Sequence, residues 1–210
     1  MITLNISRQF GSGGAYVGRR LARKLGFKYA DREILTLAAR RLDVPVEELS
    51  LKEEKAPGFW EDFFRSFTFG APDTGFYTPP PLRTVSDESL LEAEADIIRN
   101  ISGRYDAVII GRAAFHVLAG SPGAVNVFLH APLEFRVKRV MELYRLKTRS
   151  EAEAMIDRND EARERFVRVV TGRDWMEADN FHLCVDTAAA GFDLAEEMIE
   201  GLVRKTKAGL

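Results

Sequence analysis

A glycine-rich turn between an extended segment and a helical segment constrains the fold of this chain more than any other feature. Residues 2–7 (ITLNIS) alternate apolar and polar side chains, which predicts a strand. The turn follows at once, with SRQFGSGG at residues 7–14, and Val17, Leu21 and Leu25 then recur at helical spacing. Backbone N–H groups of a glycine turn at a helix N-terminus form a preformed anion site. This order therefore predicts an α/β fold with a place for a phosphate group.

Strands and helices alternate along the rest of the chain. Further strands are predicted at residues 27–30, 107–110, 125–130 and 182–186. Helices are predicted at residues 31–42, 86–101, 132–144 and 150–170, the last opened by a capping box of Ser150 and Glu153, and Asp193 is predicted to cap a terminal helix. The alternation predicts a single domain over residues 1–210, a three-layer α/β fold with a mostly parallel sheet between helices.

Composition limits the classes of partner. The formal net charge is −2, so we expect no general nucleic-acid binding. No apolar run approaches the roughly 20 residues of a membrane span, and the N-terminus lacks the charge order of a signal peptide. Cys184 is the single cysteine, which fits a reducing compartment. We expect a cytoplasmic protein with no membrane partner.

Residues 50–85 interrupt the alternating pattern. Eight aromatic residues lie between Phe59 and Tyr77, and three prolines follow at residues 79–81. This composition predicts an insertion that packs on the domain or on a partner. The aromatic side chains could stack on a base, but packing in the core or in a homodimer interface is favoured.

The turn departs from the full phosphate-loop pattern GxxxxGK[ST]. With Gly13 as the second glycine, Arg8 stands at the first glycine, Gly14 at the lysine and Ala15 at the hydroxyl residue. The candidate phosphate-binding residues are Gly11, Ser12, Gly13, Gly14 and Ala15. A tight turn without a ligand remains the alternative.

Seven segments in a fixed order resemble the nucleoside-monophosphate kinases, and in detail the cytidylate kinase-like family. They are ISRQFGSGG, YADREI, IIGRAA, VFLHAPLEFRVKRV, IDRNDEARERF, TGRDW and HLCVDT. The resemblance implies a P-loop kinase fold, ATP and Mg²⁺ as cofactors, and phosphoryl transfer to a nucleotide such as CMP or dCMP. It also implies that SR-x-x-GSGG takes the place of the lysine-containing loop.

Phosphoryl transfer needs positive charge around the migrating group, so arginines must replace the absent lysine. Arg8 ends the first strand beside the turn, where ligands of an open parallel sheet bind. The resemblance makes residues 146–175 a lid, whose arginines would close over the transferring phosphate. The catalytic candidates are Arg8, Arg158, Arg163 and Arg165. A surface arginine is the alternative for Arg8, and a solvated, salt-bridged helix is the alternative for the lid residues.

Two further groups follow from the resemblance. Arg136 and Arg139, in VFLHAPLEFRVKRV, would reach nucleotide phosphates or anchor the lid. Asp31 and Arg32 would lie near the acceptor nucleotide, although Asp31 could instead cap a helix. Arg112 would grip the acceptor phosphate, and an arginine directly after an apolar strand requires a partner.

Three functions are compatible with these patterns. The leading hypothesis is an ATP-dependent kinase of a nucleoside monophosphate. The alternatives are a nucleotide-binding regulatory module that lacks catalysis and a kinase of a non-nucleotide small molecule. The three histidines lack metal-ligand spacing, and the sequence assigns no residue to a metal.

Overall fold

The computed structural model of the chain describes residues 1–31, residue 34 and residues 87–210. Arg32, nearly all of the predicted helix at residues 31–42 and the aromatic segment at 50–85 lie outside the described residues. The predictions made for them, including a homodimer through the aromatic segment, stay predictions.

The described strands form one parallel sheet. They are β1 (Thr3–Arg8), β2 (Lys28–Ala30), β3 (Ala107–Ile110), β4 (Ala124–His130) and β5 (Leu183–Asp186). Their order across the sheet is β2-β3-β1-β4-β5, and every neighbouring pair is parallel. The predicted parallel α/β fold is confirmed. All carboxyl ends of the strands therefore meet at one edge, where an open sheet binds its ligands.

Helices connect these strands. The described helices are α1 (Gly14–Leu25), α2 (Asp87–Arg104), α3 (Ala114–Val117), α4 (Leu133–Tyr144), α5 (Arg149–Thr171) and α6 (Thr187–Ala208). A short 3₁₀ turn lies at Ala178–Asn180. Within the described residues, no helix is both long enough and apolar enough to span a bilayer.

Two helix starts differ from the predictions. The capping box of α5 is formed by Thr148 and Glu151, not by Ser150 and Glu153, so the helix begins earlier than predicted. Both pairs fit the S/T-x-x-E spacing, and the extended backbone of Thr148 decides between them. The N-cap of α6 is Asp186, which accepts hydrogen bonds from two backbone N–H groups of the first turn.

The prediction that Asp193 caps the terminal helix is wrong, because the N-cap of α6 is Asp186, the last residue of β5. Asp193 lies inside α6, two residues after the non-helical Gly191, and its carboxylate is 2.9 Å from Arg20.

The core lies on both faces of the sheet. On one face, Ile2, Leu4 and Ile6 of β1 pack with α1 and α6. On the other face, Ala107 and Ile109 of β3 pack against α2 and α3. Every residue of β1 is buried, as expected for the central strand of a parallel sheet covered on both sides. This burial fixes the backbone of β1, and with it the starting point of the glycine turn.

Candidate active site

The glycine turn connects β1 to α1 in a conformation that requires glycine. Gly11 and Gly13 have φ angles of 83° and 89°, in the left-handed region. Gly13 is the N-cap of α1, which has no capping side chain and no acidic residue in its first turn. The first N–H groups of a helix lack intrahelical partners, and the helix dipole favours an anion there. The start of α1 can thus hold a phosphate group.

Neighbouring helices pack tightly against this turn. A Cβ atom at Gly11 would lie 3.0 Å from the Arg136 Cβ atom on α4, and a Cβ atom at Gly13 would overlap the Phe192 ring on α6. The Ser12 hydroxyl is fully buried and contacts the carbonyl oxygens of Gln9 (2.9 Å) and Leu129 (3.0 Å). In this conformation Ser12 holds the turn against β4.

The side chain of Arg8 crosses from the turn to the neighbouring strand. Its Cβ and Cγ atoms lie against Gly14, and its guanidinium lies against Gly111 at the end of β3. The guanidinium is 4.0 Å from the Asp31 carboxylate after β2. Burial lowers the pKa of Arg8 and the nearby Arg112 acts in the same direction, whereas Asp31 opposes both. Arg8 therefore connects the glycine turn to the ends of two other strands.

A strained turn follows β3 and carries Arg112. Gly111, Arg112 and Ala113 have consecutive φ angles of 71°, 59° and 48°. A left-handed conformation costs a residue with a Cβ atom about 1–2 kcal/mol. Arg112 is 4% exposed, and its Nη1 donates to Glu94 Oε1 of α2 at 2.9 Å. Burial raises the pKa of Glu94 although Arg112 attracts its charge. A strained turn that carries a buried ion pair is a frequent feature of functional sites.

Asp160 of α5 joins three parts of the site. Its Oδ1 accepts hydrogen bonds from the backbone N–H of Phe10 in the turn (2.7 Å) and from Arg163 Nη1 (3.0 Å), and its Oδ2 accepts from Arg136 Nη1 (2.6 Å). Burial raises the pKa of Asp160, against the attraction of Arg163, the Phe10 N–H and Arg136. Burial and repulsion from Arg8 lower the pKa of Arg163 to about 10. Asp160 thus fixes α5 against the turn and against α4.

Three of the predicted arginines line one pocket. Arg8 from β1, Arg112 from the turn after β3 and Arg163 from α5 share it with Ser7, Gly111, Ala113, Phe166, Val167 and Trp175. All three arginines are less than 9% exposed. Guanidinium groups donate hydrogen bonds in a fork that matches phosphate or carboxylate oxygens. The pocket therefore suits a small anion or the anionic group of a larger molecule.

The other predicted residues lie around this pocket. Arg136 is buried, and besides Asp160 it donates to the Ala131 carbonyl at 2.9 Å. Arg139 lies over the rings of Phe192 (4.7 Å to the centroid) and Tyr16 (5.6 Å). Arg158 and Arg165 of the predicted lid are exposed, so of the three lid arginines only Arg163 lines the pocket. Within the described part of the chain, no group of three or more His, Cys, Asp or Glu residues could hold a metal ion.

Sequence reasoning missed two contributors to the site. Glu94, the partner of Arg112, lies in α2 with no motif around it, and only its burial beside an arginine marks it. Trp175, in the segment TGRDW, is 3% exposed and lines the pocket, although nothing in the sequence distinguishes it from a core aromatic residue.

The chain is similar to solved structures over nearly its whole length. An uncharacterized protein from Eubacterium ventriosum ATCC 27560 matches with a TM-score of 0.69 and 19% identity, covering 97% of this chain and 99% of the other. A gluconokinase from Sinorhizobium meliloti 1021 matches with a TM-score of 0.53 and 16% identity, covering 99% and 97%. Shikimate kinase from Acinetobacter baumannii in complex with shikimate matches with a TM-score of 0.52 and 15% identity, covering 99% and 95%. At these identities the likeness shows the P-loop kinase fold.

Comparison by sequence gives the family. No protein of curated function matches the chain. The model of the cytidylate kinase-like family matches residues 2–189 of this chain. The match covers most of the chain and includes every residue of the arginine pocket. This chain therefore belongs to the cytidylate kinase-like family.

Proposed function

We propose that this protein is an ATP-dependent kinase that phosphorylates a nucleoside monophosphate, with CMP or dCMP as the preferred acceptor. The observation that carries the proposal is the convergence of Arg8, Arg112 and Arg163 on one pocket, which the contact of Arg8 with Gly14 connects to the start of α1. Buried arginines repel one another, and such an arrangement is stabilised when an anion binds between them. Family membership supports a kinase, and the preference for cytosine rests on the family alone.

Each part of the site has a role in this reaction. The start of α1 would bind the donor phosphates through backbone N–H groups. Arg8 lies between that turn and the ends of β2 and β3, where it would stabilise charge on the transferring phosphoryl group. Arg112 would bind the acceptor phosphate, and Arg163 would add a positive charge to the pocket from α5. With a pKa of about 10, Arg163 remains charged at neutral pH.

No general base is required, because the phosphate of a nucleoside monophosphate is already an anionic nucleophile. The site then acts by alignment and by neutralising charge. The start of α1, which has no capping side chain, would bind the phosphates of ATP. For Mg²⁺ the loop itself offers no ligand, since Ala15 stands at the usual hydroxyl position and the Ser12 hydroxyl contacts protein carbonyls. Mg²⁺ would accompany the ATP phosphates, and the roles above depend only on residues of the chain.

A second candidate is a kinase of a non-nucleotide small anion. The pocket between the arginines is narrow and is partly lined by Phe166 and Trp175, which suits a compact carboxylate or phosphate. Two proteins that share this fold are named for small-molecule substrates, shikimate kinase and gluconokinase. The third candidate is a nucleotide-binding module without catalysis. It is favoured because Gly14 and Ala15 stand where the standard phosphate loop has its lysine and its hydroxyl residue.

A coupled assay of ADP release with Mg²⁺ and each common nucleoside monophosphate tests the proposal. We expect turnover with CMP or dCMP and little with the others. Arg8→Ala should lower the rate by about 10²–10³-fold, as for loss of a transition-state charge. Arg204→Ala, on the exposed side of α6, should leave the rate unchanged. Turnover only with a non-nucleotide acid would favour the second candidate, and ATP binding by calorimetry without any turnover would favour the third.

A further inference from the structure

The position that carries lysine in an ordinary phosphate loop is filled here by the side chain of another residue. A Cβ atom built at Gly14 would lie 2.6 Å from both Cβ and Cγ of Arg8, closer than the 3.0 Å below which real Cβ atoms essentially never approach another atom. These two Arg8 atoms are at the base of the side chain, so a rotamer change at its far end does not move them away. Any side chain at position 14 therefore competes with Arg8.

The far end of Arg8 is confined in the same way. Its guanidinium lies where a Cβ atom of Gly111 would be, at the first residue of the strained turn after β3. Two glycines from separate segments thus form a channel for one side chain. The channel holds the guanidinium 4.0 Å from Asp31 and beside the arginines of the pocket.

Comparison of the sequence with the standard phosphate loop indicates why Gly14 leaves space for Arg8. In the alignment with GxxxxGK[ST], Arg8 stands at the first glycine and Gly14 at the lysine, so the two positions have exchanged a cation for a glycine. We infer that the cation of the phosphate loop has moved from position 14 to position 8, and that Gly14 is the positioning residue that makes room for it. This inference rests on the proposed binding of donor phosphates at the turn.

The backbone permits the reverse exchange. Gly14 is the first residue of α1 and is absent from the glycines with positive φ, so its conformation accepts lysine. Arg8 is the last residue of β1, where an ordinary loop has its first glycine. The double variant R8G/G14K would read GQFGSGK, which restores the glycine and lysine of the standard loop. The charge of the loop is the same in both arrangements.

Binding of ATP with Mg²⁺, measured by calorimetry, tests the exchange without requiring turnover. We expect R8G and G14K each to weaken binding at least tenfold, R8G by losing the cation and G14K by clashing with Arg8. The double variant R8G/G14K should bind at least tenfold more tightly than either single variant. Gly201→Lys is the matched control, because Gly201 lies on α6 with nothing within 4 Å of its added Cβ, and it should bind as the unmodified protein does. A double variant no better than R8G, or a G14K variant as good as the unmodified protein, would overturn the inference.

A thermal measurement covers the case in which G14K does not fold or the unmodified protein does not bind ATP. Gly14→Ala should lower Tm by at least about 3 °C when Arg8 is present and by less than about 1 °C in the R8G background. An equal loss in both backgrounds would refute the positioning role of Gly14. The two proposals fail separately. Absence of turnover with an intact exchange refutes only the kinase activity, and turnover with a failed exchange refutes only the relocated cation.

Discussion

Replacement of Gly13 by alanine separates two contributions that the glycine turn makes to stability. Gly13 has a φ angle of 89°, and its missing Cβ leaves the space that the Phe192 ring occupies. Gly26 at the end of α1 has a φ angle of 70°, but nothing lies within 4 Å of an added Cβ atom. Both alanine variants pay for a left-handed backbone, and only Gly13→Ala also meets a ring.

The expected magnitudes follow from these two geometries. Left-handed alanine costs about 1–2 kcal/mol, which is the whole effect expected for Gly26→Ala. Overpacking against Phe192 adds about 1–3 kcal/mol, so Gly13→Ala should lower the free energy of unfolding by about 2–5 kcal/mol. In a domain of this size, 1 kcal/mol corresponds to about 2–4 °C in Tm.

Urea unfolding at neutral pH measures both variants, and an unchanged m-value shows that the same surface is exposed. Phe192→Ala in the Gly13→Ala background removes the ring and should leave only the backbone cost of Gly13→Ala relative to Phe192→Ala alone. If Gly13→Ala and Gly26→Ala lose the same free energy within about 0.5 kcal/mol, the ring does not restrict position 13, and the described packing of the turn is refuted.

Three further predictions concern the arginine site and its surroundings. Asp160→Asn should lower kcat at least tenfold, because Asp160 joins the Phe10 N–H, Arg136 and Arg163, whereas Asp157→Asn, exposed on the same helix, should leave kcat unchanged. Arg163→Ala should lower kcat at least tenfold more than Arg158→Ala in the same assay, because only Arg163 lines the pocket; equal losses would contradict the assignment. Partial burial opposes ionisation of Asp106, but hydrogen bonds from Lys207 and the Ile2 N–H lower its pKa below 3.8. The stability that Asp106 contributes is therefore present above pH 3.8 and is lost as the pH falls through the folded-state pKa. In urea unfolding at decreasing pH, the difference in stability between the unmodified protein and Asp106→Asn should shrink.

Local patterns in the sequence were sufficient to predict the strands of the sheet. The predicted strands agree with the structure within one residue at each end, because buried parallel strands are short apolar runs bounded by turns. The same patterns do not locate the start of α5, because Thr148 and Ser150 both have a glutamate three residues later. Spacing alone does not distinguish them, and the difference lies in the backbone of Thr148.

The site was predictable only in part, for a physical reason. The rule that ligands bind at the carboxyl ends of parallel strands predicts that Arg8 and Arg112 lie at the same edge of the sheet. The rule gives no information about α5, and Arg163 joins the pocket because Asp160 bonds to the Phe10 N–H across a long sequence separation. Glu94 was missed for the same reason, because its partner is 18 residues away on another element.

The position of Arg8 on the central strand affects how the site responds to a substrate. An ordinary loop lysine extends from the start of a helix on a flexible stem. The backbone of Arg8 is instead paired within the sheet, opposite Leu129 of β4, and two glycines confine its side chain. Such a charge has little reorganisation to undergo when the reaction begins, which is the condition under which a fixed dipole or charge stabilises a transition state most effectively. The free energy of assembling the charge is therefore supplied during folding, and the bound nucleotides must adjust to the arginine.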